Sequence, residues 1–179
     1  FTACDSFLDE EPKSSLTLDT YYKTSADIIG NVNYLYRDGA PDKMGNMTGA
    51  YRGSSLSVMN MVTGYFVNEY EGQEVDCSYA RQLTRQNFTQ SCCNYLTNDT
   101  WKGCYKSINV ANAVIKYVDG VEMDGQAQYK AEARFFRALN YFYLVKMFGD
   151  VPMITEPTED ATLVEYPART AASEVYKTV

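Results

Sequence analysis

The chain has 179 residues, 45% of them apolar and 22% charged, with a formal net charge of −7 and no histidine. That length and balance suit one folded unit or one piece of a larger one, and they argue against disorder and against nucleic acid, which calls for clustered Lys and Arg. Without His there is no Ser-His-Asp or Cys-His centre within the chain, and no cofactor or metal is expected.

In chain order, the first feature is Phe1-Thr2-Ala3-Cys4. Small residues just ahead of a Cys look like the tail of a bacterial lipobox, in which Cys4 would carry lipid; the other reading is a chance Cys. Residues 5–16 are acidic and polar, with Pro12 opposing helix, and read as a tether. A helix follows Thr24. Thr24 and Asp27 have the spacing of a capping box, with Asp in place of Glu. Ile28, Ile29, Val32, Leu35 and Tyr36 then fall on one helical face, and Gly39 and Pro41 stop it.

Residues 40–97 are punctuated by five glycines. Leu56 to Met61 suits a short helix, and Thr63 to Tyr70 is strand-like without a partner. Much of the rest reads as a long loop, of the kind that is usually functional or disordered. Four cysteines lie in or near it: Cys77, Cys92, Cys93 and Cys104. Disulfides, with Cys77 joined to Cys92 or Cys93, and free buried thiols both remain open; zinc-ligand spacing is absent.

A second strong helix is predicted from Asn98 or Asp99, both good caps, with Trp101, Tyr105, Ile108, Asn112, Ile115 and Val118 on one stripe and Gly120 at its end. A third follows Asp124-Gly125. Its apolar residues, from Ala131 to Phe148, cover most of the circumference, which predicts packing on several sides. Gly149 closes it, and Asp150-Val151-Pro152 leaves in extended form. The short linker between these helices predicts an antiparallel hairpin. Residues 153–168 read as an irregular connection. A fourth helix is expected from Thr170 and runs to Val179 without a stop signal, which reads as the start of a longer protein. No apolar run reaches the roughly 18 residues of a membrane helix.

The third helix and its exit, AEARFFRALNYFYLVKMFGDVPMITEP, resemble the signature of the SusD/RagB family of outer-membrane nutrient-binding lipoproteins. CDSFLDEEP is similar to that family's mature N-terminus, WKGCYKSINVANAVI to its preceding helix and RTAASEVYKTV to its following one. The resemblance implies an all-α fold of TPR-like stacked helix hairpins with an irregular loop insertion. It implies residues 1–3 as signal-peptide remnant, Cys4 as the lipidation site, 4–16 as a lipid-anchored tether, and 17–179 as the N-terminal helical part of a SusD-like domain, truncated at its C-terminal end. The implied function is non-catalytic: capture of oligosaccharides, or sometimes peptides, on the extracellular face of the outer membrane, and delivery to a SusC-type TonB-dependent transporter.

Within that frame, the candidate glycan residues lie between helices: Tyr65, Asn68, Glu69, Tyr70, Asp76, Tyr79, Arg81, Asn94 and Tyr95. Aromatic rings there alternate with amides and charged groups, the mixture that sugar recognition needs: rings to stack, and planar polar groups for paired hydroxyls. The resemblance points to this region as a whole. Trp101 is in register with Tyr105 and Ile108 and reads as core. Arg134 and Arg137 are expected to tie helices or loops together through carboxylates or carbonyls, and Asp150 to bond turn amides. Asn46, Asn87 and Asn98 begin glycosylation triplets read as coincidence. Two other functional classes stand beside the binding protein. One is a TPR-type scaffold or peptide-binding member of the same family. The other is a glycoside hydrolase, which needs two carboxylates at a set separation.

Overall fold

The computed structural model describes residues 17–37, 62–67, 81–82, 84–87, 90–159 and 167–179. Cys4, the tether and Leu56 to Met61 lie outside them. The described fold is all-α with one two-residue strand pair, in agreement with the expected class.

Two short-range caps start the chain of helices. Thr17 and Thr20 form a reciprocal box at the head of α1 (Leu18–Tyr21), where the Thr17 amide donates to the Thr20 hydroxyl at 2.9 Å. Helix α2 (Ser25–Arg37) begins at the expected Thr24. The Asp27 carboxylate accepts from the Thr24 amide at 2.8 Å and from the Thr24 hydroxyl at 2.7 Å. The hydroxyl thus donates to Asp27 instead of accepting a helix amide. These bonds favour the charged form and hold the Asp27 carboxyl below its ordinary pKa. Ile28, Val32 and Leu35 form the buried stripe of α2.

Helix α3 (Gln90–Tyr117) is 28 residues long and ends in a 3₁₀ turn at Val118–Gly120. It starts well before the predicted cap at Asn98. A cap residue contributes only about 1 kcal/mol, and a chain free of Gly and Pro from Gln90 to Asn98 extends the helix at one hydrogen bond per residue. Helix α4 (Gln126–Phe148) follows Gly125, whose φ of 78° only a residue tolerant of left-handed backbone accepts. The Gln126 side-chain Nε2 donates to the carbonyls of Val118 and Val121 and ties the turn together. At the far end Gly149, at φ 70°, donates its amide to Val145 and sends the chain back.

Helices α3 and α4 form the expected antiparallel hairpin. From its turn to its open end the register reads Asp119 with Lys130, Asn112 with Arg137, Tyr105 with Tyr141 and Trp101 with Phe148. Two apolar clusters fill it. At the turn end, Ile28, Val32 and Leu35 of α2 pack on Ala111 and Val114 of α3, on Val118 of the 3₁₀ turn and on Ala133 and Phe136 of α4. At the open end, Cys104, Ile108, Tyr141, Leu144 and Val145 are covered by Val151 and Val175. Trp101 packs at the edge of this second cluster, 5.1 Å from the Phe148 ring, as expected for a core residue.

Strand β1 (Val151–Pro152) pairs antiparallel with β2 (Arg169–Thr170), and α5 (Ala172–Thr178) begins two residues later than predicted because Thr170 is held opposite Val151. Asp150 does cap amides, but at long range: its carboxylate accepts from Ala172 at 2.9 Å, at the head of α5. Helix α4 is packed on several sides, as expected, by residues of α2, α3, β1 and α5, while Phe135 and Phe142 on its remaining arc are 61% and 42% exposed.

Candidate functional site

Two features of the described structure carry polar chemistry. The first is a ladder on the hairpin. On α3, Tyr105, Asn109, Asn112 and Lys116 recur at intervals of three and four, and therefore share a face. Arg137 and Tyr141 lie one turn apart on α4 beside them. Together these side chains hold an extended strap, residues 152–159. The Tyr105 hydroxyl donates to the Pro152 carbonyl at 2.7 Å. The Tyr141 hydroxyl donates to the Ile154 carbonyl at 2.9 Å and accepts from the Ile154 amide at 2.6 Å, as a neighbouring strand would. Asn112 donates to the carbonyls of Ile154 and Glu156, and its own oxygen accepts from Arg137 at 3.0 Å. The Asn109 oxygen accepts from the Thr158 amide at 2.7 Å, and Glu159 meets Lys116 and Tyr117.

The physical reason is backbone satisfaction. An extended segment laid on a helix pair loses water from its carbonyls and amides, and each must find a partner. Burial raises the pKa of the Tyr105 and Tyr141 phenols, which keeps them neutral donors, and burial is also the largest influence lowering that of Arg137. The adjacent Cys104 thiol is pushed up to about 12 by burial, so it stays protonated and unreactive. Arg137 thus ties helix to strap as expected, whereas Arg134 is exposed. The ladder is a structural device built around the chain's own backbone.

The second feature is the turn at residues 62–67. Gly64 takes φ 80°, and the Tyr65 amide donates to the Thr63 hydroxyl oxygen at 3.3 Å. The stretch is a turn, not the start of a strand. It presents Tyr65, Phe66 and Val67 outward, with Tyr65 90% exposed. An aromatic face this exposed has the chemistry of a surface on which a sugar ring stacks.

Of the other predicted residues, Arg81 sits half-buried in helical backbone, its carbonyl accepting from the Arg85 amide at 3.0 Å. Asn94 and Tyr95 are part of α3 and not of an interhelical loop, a correction that follows from the early start of that helix. Asn68, Glu69, Tyr70, Asp76 and Tyr79 lie outside the described residues. The residues whose role sequence reasoning passed over are the other strap holders, Tyr105, Asn109, Asn112 and Tyr141. Asn112 stood within an apolar stripe, and a polar residue in such a position requires a buried partner; that was the available signal. Among the described residues no group of three or more His, Cys, Asp or Glu could hold a metal ion, and no helix is long and apolar enough to cross a membrane.

A family model described as "starch-binding associating with outer membrane", SusD-like, matches residues 6–179. The chain belongs to the SusD-like family. It is similar to two SusD-like proteins of Formosa agariphila, P25 and P2, at 26% identity over 87% and 95% of its length. A SusD-like protein of Bacteroides ovatus is likewise 26% identical over 94% of the chain. The chain spans only 28–32% of the length of these relatives. No solved structure matches it.

Proposed function

We propose that this SusD-like chain is the N-terminal helical part of a non-catalytic glycan-binding lipoprotein of the outer membrane. It is anchored through Cys4 by the 4–16 tether, after removal of residues 1–3, and captures oligosaccharides on the extracellular face. A SusC-type TonB-dependent transporter then receives them. The observation that carries this reading is the family match from residue 6 to residue 179. The outward Tyr65-Phe66 turn supports it with a stacking surface of the right chemistry. The remaining candidates, Asn68, Glu69, Tyr70, Asp76, Tyr79, Arg81, Asn94 and Tyr95, follow this turn in sequence and offer amides and charges for hydroxyl groups and further rings. The peptide-scaffold alternative gains less support, because the polar face of the α3–α4 hairpin already holds residues 152–159.

The test is affinity electrophoresis of the full-length lipoprotein against a panel of plant, algal and microbial glycans. Retardation by at least one glycan is expected, with Tyr65→Ala weakening binding about 3- to 10-fold, the size of one lost stacking contact. Absence of retardation by every glycan, together with binding of an extended peptide, would move the assignment to the scaffold. Release of shorter sugars from any of these glycans would move it to a hydrolase.

A further inference from the structure

The turn at residues 62–67 puts consecutive apolar side chains into water: Tyr65 is 90% exposed, and Phe66 and Val67 are 57% each. A buried ring is held in direction by the atoms packed around it. A ring as open as Tyr65 lacks that packing, so its direction is set by the backbone that carries it. Two features of that backbone are specific. Gly64 takes φ 80°, on the side of backbone space that L side chains rarely adopt, and the Tyr65 amide donates to the Thr63 hydroxyl oxygen at 3.3 Å.

Packing does not account for the glycine. A Cβ at position 64 meets no atom within 4 Å, so a side chain has room there. What position 64 asks of its residue is the positive φ alone, which strains L residues in general and Asn least. A residue with negative φ at that point would turn the next peptide and carry Tyr65 in another direction. We infer, on the reading of Tyr65 as a ring that stacks on sugar, that Gly64 is the positioning residue of that ring: its left-handed backbone presets the platform before the glycan arrives, and the glycan does not have to order it. A preset platform avoids the ordering cost that a loose one meets on binding. Gly64 touches no sugar in this role and acts only through Tyr65.

The experiment is affinity electrophoresis of the full-length lipoprotein against soluble starch, xylan, mannan, laminarin, pectin and alginate, continued with whichever retards it most. Gly64→Ala is expected to weaken binding about threefold or more, up to the loss given by Tyr65→Ala, and Gly64→Asn to stay within about twofold of the parent. Added to Tyr65→Ala, Gly64→Ala is expected to weaken binding by less than about twofold further, because the ring it positions is already gone. Thermal unfolding separates positioning from folding: each single variant is expected to keep Tm within about 2 °C of the parent, since the turn is exposed. If Tyr65→Ala weakens binding and Gly64→Ala does not, the ring stacks without being preset, and the inference falls while the glycan platform stands. Equal losses for Gly64→Ala and Gly64→Asn, independent losses in the double variant, or a Tm lowered by more than about 5 °C in Gly64→Ala would each overturn it as well. If no glycan is retained, or Tyr65→Ala binds as the parent does, the platform reading itself fails and takes the role of Gly64 with it.

Discussion

The two sides of the α3–α4 hairpin differ in what covers them. One side is polar and closed. Asn109, Asn112, Arg137 and Tyr141 reach across to the backbone of residues 152–159, a stretch only a few residues beyond the end of α4. The other side is apolar and open, with Phe135 and Phe142 facing outward. A polar groove needs only an extended strand to satisfy it, and the chain supplies one on its way out of Gly149. An apolar helix face needs another apolar face, and a strap of one strand cannot provide it. The difference teaches that the chemistry of each side sets its covering: the chain's own exit closes the polar side, while Phe135 and Phe142 stay exposed on the apolar one.

Neighbouring phenylalanines sharpen this contrast most. Phe136 is 3% exposed, at the centre of the cluster with Leu35 and Val114. Phe136→Ala in the 179-residue chain is expected to cost about 3–5 kcal/mol in urea unfolding. Phe135→Ala beside it, in the same chain, is expected to change stability by less than about 0.5 kcal/mol. Equal losses at the two positions would break the distinction between a covered and an open side.

On the polar side, Asn112→Ala removes two donors and one acceptor at once and leaves Arg137 with fewer partners. A loss of about 2–3 kcal/mol is expected, since buried polar groups are then unpaired. Tyr141→Phe keeps the ring and loses the two-way bond to Ile154, at about 1 kcal/mol. Amide hydrogen exchange at Ile154 would show the same change directly, with faster exchange in the variant. If both substitutions were neutral, the strap would not be held by the ladder.

The smallest effect lies away from the hairpin, at the start of α2. The folded-state pKa of Asp27 is depressed by bonds from Thr24, so its contribution is complete above the unfolded value of about 3.9 and is lost as pH falls through the lower folded value. The stability gap between the parent chain and Asp27→Asn is therefore expected to be constant near neutral pH and to close below about pH 4. A gap that persisted at the lowest pH would show that the carboxylate charge is not what caps the helix.

Much of this was legible before any coordinates. Thr24 and Asp27 marked the start of α2, the glycines around residues 120–125 marked the hairpin turn, and Gly149 marked the end of α4, because caps and left-handed turns depend on a few adjacent residues. The four quoted segments carried the family. The beginning of α3 was misplaced because a good cap residue at Asn98 is no barrier to a helix already under way from Gln90. Of the binding region, the exposed tyrosine at position 65 was legible as a residue type, while its outward placement rests on the Gly64 turn.

What the residues settled alone was periodicity, punctuation and chemical type: where helices run, where they stop, and that the molecule is acidic, helical and rich in tyrosine. What only the tertiary structure decided was pairing over distance. Asn112 and Ile154 lie 42 residues apart, as Tyr105 and Pro152 lie 47 apart, and nothing local links them. Their meeting depends on how α4 lies back along α3. The same packing decides which arc of the apolar helix α4 is buried and which is left bare, because a stripe that runs nearly all round a helix does not say which side its neighbours will take.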